Sequence, residues 1–174
     1  MIPEYYQFSC PVKILSGLKA LSNLPYEMDL LGVHRALVVT DQGVVGAGLL
    51  KRVMHALEGS HCEIGAIFDR TPPDSSNKVV NSVAKLFSEE GCDCFLAVGG
   101  GSSMDTAKCA NMVVAEGTDD LMKLQGAERA RKPAKPFIAV PTTAGTGSEV
   151  TLAAMIYDED TKVKMAFASC RFLP

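Results

Sequence analysis

Residues 93–116 read DCFLAVGGGSSMDTAKCANMVVAE, and the fold follows from this stretch. The run at 94–98 is apolar and short, as a buried strand is. Gly99, Gly100 and Gly101 interrupt it. Ser102 then stands where a helix N-cap belongs, with Asp105 three residues on, and Ala107, Ala110, Val113 and Val114 follow at helical spacing. A strand, a glycine turn and a helix start therefore join without a spare residue. Such a junction directs free backbone N–H groups and the positive end of a helix dipole at one point, which suits a phosphate.

Working outward, a short strand is expected at 11–15. Leu18, Leu21 and Leu24 have helical spacing that Pro25 interrupts, and helix resumes at 27–31 before Gly32. RALVVT at 35–40 is a buried strand with Asp41 at its carboxyl end. Residues 43–59 form one helix whose apolar face includes Val45, Leu49, Leu50, Val53, Met54 and Leu57. A strand at 63–68, the turn DRTPPDSS and a helix at 78–90 come next. Beyond the opening stretch lie a short helix at 119–125, an exposed basic loop ERARKPAKP, and a buried strand at 137–140 that runs into PTTAGTGSEVT. Apolar runs at 152–157 and 162–168 flank DEDTK as a hairpin would. Strands alternate with helices at about 30 residues per unit, the spacing of right-handed crossovers in a parallel sheet. The expectation is an α/β, Rossmann-like parallel sheet flanked by helices, with a β-hairpin near the C-terminus. Ligands of such sheets collect at the carboxyl ends of the strands, where the loops at Asp41, Asp74, GGGSS and TTAGTGS would gather.

Composition excludes several classes. The 174 residues are 47% apolar and 21% charged, as in a globular protein with a real core. A net charge of −3 is too balanced for a nucleic-acid binder. No apolar run approaches the roughly 18 residues of a membrane span, and MIPEYYQFSCPVK has no apolar leader segment, so the reading places the chain in the cytoplasm. Six cysteines show no CxxC pair and no zinc spacing, and are read as reduced structural thiols, with Cys92 and Cys94 sharing one face. His34, His55 and His61 do not cluster in sequence.

Three motifs carry chemistry, each beside a plainer reading. GGGSSMDTAK is a diphosphate cradle or a tight turn with a capping box, and the two are compatible. Met104 stands where the GxGxxG fingerprint needs glycine, and the GK[ST] of a triphosphate loop is missing. PTTAGTGSE puts Thr142, Thr143, Thr146 and Ser148 on a glycine-containing loop able to bond a ribose, amide or phosphate, or to serve as an ordinary polar connection. Asp41 is a ribose acceptor or the cap of the next helix. Lys108 reads as a surface charge near the glycine turn, Lys164 as a solvated strand residue and Asp74 as a turn residue.

GGGSSMDTAK and PTTAGTGSEVT, with VVTD upstream and YDEDTKVKMAF downstream, resemble in order and spacing the N-terminal half of the iron-containing (group III) alcohol dehydrogenases. The resemblance covers essentially the whole chain. It implies a dinucleotide-binding domain over 1–174 with the dehydroquinate-synthase-like fold. It further implies Asp41 on the adenosine ribose, favouring NAD over NADP, and Gly100, Gly101 and Ser102 on the diphosphate. Thr142, Thr143, Thr146 and Thr151 would flank the nicotinamide, and Lys164 would reach the cofactor. Asp74, at a position where many relatives have Asn in a PNP turn, would also contact the cofactor.

The family also has a helical second domain, whose aspartate and three histidines hold a divalent metal, usually iron, that polarises the alcohol oxygen. The sequence given stops at Pro174 where the family continues, and its histidines do not match those ligands. The expectation is therefore a cofactor-binding part of a metal-dependent alcohol dehydrogenase, incapable of alcohol oxidation alone. Its alcohol or aldehyde partner would belong to the full-length protein. A face normally covered by a second domain would favour homo-oligomers. A standalone nucleotide-binding module, or a glycerol dehydrogenase or dehydroquinate synthase relative, is the competing reading.

Overall fold

The computed structural model describes residue 5 and residues 10–174. The chain runs α1 (Leu24–Leu31), β1 (Arg35–Val39), α2 (Gln42–Gly46), α3 (Leu49–Ala56), β2 (Glu63–Phe68), α4 (Asn77–Glu89), β3 (Cys94–Gly99), α5 (Gly101–Glu116), β4 (Gly126–Ala127), β5 (Phe137–Pro141), β6 (Ala153–Asp158) and β7 (Val163–Ala168). Short 3-10 turns occupy Ala20–Asn23, Leu121–Leu124 and Cys170–Phe172.

Four strands form a parallel sheet in the order β2-β1-β3-β5. Both faces are covered, and period-two alternation divides the side chains between them. Leu37, Val39, Phe95 and Ala97 point toward α4 and α5, where Phe87 stacks on Phe95 with ring centroids 4.2 Å apart. Ala36, Val38, Leu96 and Val98 point the other way, onto Met28 of α1, Val44 of α2 and Leu50 and Val53 of α3. The chain moves outward from β1 to β2 across one face, then back past β1 to β3 across the other. Uniform right-handed crossovers require that change of side when the direction reverses. The reversal leaves a switch point between β1 and β3, and a crevice at their carboxyl ends.

The hairpin at 153–168 does occur. β6 and β7 pair antiparallel, and β4 adds to β7 in parallel, giving a second sheet in the order β4-β7-β6. Ala154, Ile156 and Phe167 join this sheet to the α4/α5 side of the core.

Several local expectations are corrected. Residues 11–15 form no strand; Ile14 and Leu15 are exposed, and Lys13 pairs with Glu27 at 2.7 Å. The aromatic, polar stretch before them lies largely outside the described residues. Pro25 does not interrupt a helix. It sits in the first turn of α1, where its missing N–H costs nothing. The helix expected at 43–59 is two helices, broken where Gly48 turns left-handed at φ 73°. Cys92 and Cys94 do not share a face: Cys92 precedes the strand and packs toward α4 and α5, whereas Cys94 packs toward α1–α3. Ser102 is not the N-cap of α5. Gly100 holds that position, no side chain caps the helix, and Asp105 bonds elsewhere.

Candidate cofactor site

The glycine turn closes the carboxyl end of β3. Gly100 is extended (φ −91°, ψ −165°), and α5 begins at Gly101. None of the three glycines has a positive φ, so conformational freedom is not why they are glycine. Close approach is the reason at Gly99 and Gly100, while Gly101 has room for a Cβ. A Cβ on Gly99 would stand 2.6 Å from Ser103 Oγ, and one on Gly100 would stand 2.6 Å from Thr143 Oγ1. A Cβ on Gly101 would meet the Thr146 side chain at 3.4 Å. The second loop is therefore pressed against the first. The first-turn N–H groups of a helix have no intrahelical partner, and among the described residues no side chain takes them here.

Asp41 stands beside this turn, across the switch point. One carboxylate oxygen accepts from Val44 N (2.9 Å), capping α2; the other accepts from Ser103 Oγ (3.3 Å). Thr40 Oγ1 donates to Val98 O at 2.7 Å, holding the ends of β1 and β3 together.

The second loop leaves β5 at Pro141, and Thr142 N donates to Gly99 O at 2.9 Å. Gly145 and Gly147 both take positive φ. Thr143, Thr146 and Thr151 are exposed and Thr142 is half-buried, so these hydroxyls are accessible. Ser148 differs: it is buried, and its hydroxyl donates to Asp105 Oδ1.

Lys164 on β7 pairs with Asp74 at 2.5 Å. Asp74 has φ 55°, left-handed for a non-glycine residue. This pair forms a second group, connected to the first through β6, whose Tyr157 N donates to Ser75 O (2.9 Å) and whose Met155 N donates to Asp105 Oδ2 (2.9 Å). Both partners are substantially exposed, so solvent screening leaves the pair worth roughly 0–1 kcal/mol.

The structure thus brings Asp41, Gly100, Gly101, Ser102, Thr142, Thr143 and Thr146 to one edge. Thr151 lies on the outgoing limb, and Asp74 and Lys164 lie together beyond β6. Among the described residues, three buried side-chain oxygens have no protein partner: Thr71 Oγ1, Ser75 Oγ and Glu149 Oε2. All three belong to loops that follow β2 or β5 at this edge, and buried polar groups without partners call for an explanation such as a bound group. Two hollows, of about 410 Å³ beside Leu31, Pro136 and Phe137 and about 570 Å³ beside Asn81, Lys85 and Val113, lie elsewhere.

Lys108, read from sequence as a surface charge, is 1% exposed. Its Nζ donates to Thr151 O (2.8 Å) and Ala153 O (3.2 Å). Burial pushes its pKa down, while nearby Asp105 supports the charged form. Sequence reasoning placed Ser103 beside Ser102 as a donor at the glycine turn but missed its bond to Asp41, and it missed Thr40. No local signal marks Lys108: residues 103–113 include five polar residues, Ser103, Asp105, Thr106, Lys108 and Asn111, so the pattern does not single it out as buried. Burial raises the Cys94 and Cys109 thiols well above their ordinary range, which leaves them unreactive.

Among the described residues, no three His, Cys, Asp or Glu side chains come together as a metal site. His55 pairs with Glu58 at the surface, 3.0 Å away. The iron that the resemblance implies has its ligands on the second domain of the family, not on these residues.

A family model described as iron-containing alcohol dehydrogenase matches residues 11–174. The 4-hydroxybutyrate dehydrogenase of Cupriavidus necator is 42% identical over 89% of this chain and 40% of its own length. The NAD-dependent methanol dehydrogenase of Bacillus methanolicus is 35% identical over 96% of this chain and 43% of its own. Among solved structures, sulfoacetaldehyde reductase from Bifidobacterium kashiwanohense, in complex with NAD+, superposes with a TM-score of 0.85. It is 27% identical, over 99% of this chain and 45% of that one. The chain thus spans about 40% of the length of the curated relatives it matches. The chain belongs to the iron-containing alcohol dehydrogenase family.

Proposed function

We propose that residues 1–174 form the dinucleotide-binding domain of an NAD-linked alcohol dehydrogenase that interconverts an alcohol with its aldehyde or ketone. The observation that carries this reading is the uncapped start of α5, with Gly100 pressed against Thr143, Thr146 beside Gly101, and Asp41 adjacent across the switch point. An uncapped helix start attracts a diphosphate. In this reading Gly100, Gly101 and Ser102 hold that diphosphate through backbone N–H groups. Asp41 accepts from the adenosine ribose hydroxyls and repels a 2′-phosphate. Thr142, Thr143, Thr146 and Thr151 orient the nicotinamide end, and Lys164, held by Asp74, reaches the cofactor from β7. Bound NAD would supply the hydride acceptor; the chain's own residues bind and orient it. Among the described residues no helix is long and apolar enough to cross a membrane, and a cytoplasmic location fits the reading.

Calorimetric titration of this chain with NAD and with NADP tests the proposal. The expected result is binding of NAD with a lower Kd than NADP. Failure of both to bind at millimolar concentration overturns it.

A further inference from the structure

β6 pairs with β7 on one side; on the other only Tyr157 bridges to Ser76, which leaves the edge open at 153–155. Its outer edge would leave backbone groups unpaired, which is costly where water is excluded. The structure covers that edge with side chains of α5. Asp105 Oδ2 accepts from Met155 N at 2.9 Å. Lys108 Nζ donates to Ala153 O at 3.2 Å and to Thr151 O, just before the strand, at 2.8 Å. Asp105 Oδ1 takes the Ser148 hydroxyl as well. Two residues three apart on one helix face therefore hold four groups spread over 148–155.

The same helix carries the glycine turn at its first residue. The second loop is fixed at its entry by Thr142 N on Gly99 O and at its exit by Ser148 on Asp105. Between those two points Thr143 packs closely over Gly100, and Thr146 stands beside Gly101. We propose that Asp105 and Lys108 are positioning residues, which clamp 148–155 to α5 and so set where the threonine loop stands relative to the glycine turn. The clamp rests on the cofactor reading for its consequence: it orders the nicotinamide end of the site and leaves the adenosine end untouched. A buried lysine whose ammonium has exchanged water for two carbonyls fits that role, because no solvated conformation competes with the bonded one.

The test compares the wild-type chain with Lys108→Met, which keeps the apolar stem and removes the donors, and with the milder Asp105→Asn. Each is titrated with NAD and with AMP, which carries only the adenosine half and one phosphate. Lys108→Met is expected to raise the Kd for NAD about tenfold, as loss of an ordering interaction of ordinary size would, with AMP changed less than about twofold. Asp105→Asn should give a smaller loss with the same selectivity. Amide hydrogen exchange without ligand should quicken over 142–155 in both variants and stay unchanged in β1 and β3. Equal weakening of NAD and AMP, or wild-type NAD affinity in both variants, overturns the clamp. If the wild type binds neither ligand, the cofactor reading fails, and the exchange comparison alone decides the clamp: unchanged protection over 142–155 overturns it.

Discussion

Asp41 takes part in two structures at once. It caps α2 through Val44 N, and it faces the glycine turn through Ser103. Both readings available from the sequence are thus compatible in one geometry, because a capping carboxylate at a strand's carboxyl end also points toward the crevice. The dual role also makes a clean test possible. Asp to Gly at an N-cap costs only a few tenths of a kcal/mol, since a glycine there leaves the helix N–H groups open to water. Asp41→Gly should therefore fold as the wild type does. It should lose the carboxylate that favours a ribose over a 2′-phosphate, and narrow the ratio of NADP to NAD dissociation constants. An unchanged ratio would remove Asp41 from the ribose site. Lys108 shows the limit of such reading at this scale. Its position near the glycine turn was clear, but its burial was not, because the carbonyls of Thr151 and Ala153 that hold it lie 43 and 45 residues away.

At the scale of elements, the strands of the parallel sheet were readable because each is apolar on both faces and short, a pattern no surface helix matches. The break at Gly48 was not: Gly46, Ala47 and Gly48 interrupt a face that remains apolar on both sides of them, so periodicity alone carried the helix through. The hairpin was readable from DEDTK, and the structure shows what holds its turn. Asp158 accepts from the Thr161 hydroxyl at 2.6 Å, from Asp160 N at 3.2 Å and from Asn77 Nδ2 at 2.9 Å. The Thr161 hydroxyl bond is the largest of the influences that hold its carboxyl below the ordinary range, and Ser76 and Lys78 do the same for Glu159. A carboxylate with a lowered folded pKa adds stability above its unfolded value and loses it as pH falls through the folded value. Asp158→Asn should therefore melt below the wild type at neutral pH, and the gap should begin to narrow as pH falls below about 4, where the unfolded carboxyl takes up its proton, and go on narrowing through the lower folded value. Thermal melts of both proteins across that range check this. A gap independent of pH would mean that the charge of Asp158 contributes nothing to the turn.

At the scale of the whole molecule, the proposed site is assembled from the carboxyl ends of β1, β3 and β5 and from the start of α5, elements that pack into both layers of the core. A ligand bound there touches parts that unfold together, so its binding free energy should appear in global stability and not only in loop order. Binding confined to the folded state stabilises by about 2.7 kcal/mol at a ligand concentration of 100 times Kd. For a domain of this length each kcal/mol raises the melting temperature by roughly 2–4 °C, so NAD at that excess should raise it by about 5–11 °C. NADP at the same concentration should raise it less, and Asp41→Gly should bring the two shifts together. A contrasting outcome discriminates well: if NAD speeds or slows amide exchange only within 142–147 and leaves the melting temperature unmoved at 100 times its measured Kd, the ligand binds the unfolded chain as well or holds only a locally unfolding loop. Either result would mean that the switch point between β1 and β3 is not where the cofactor sits.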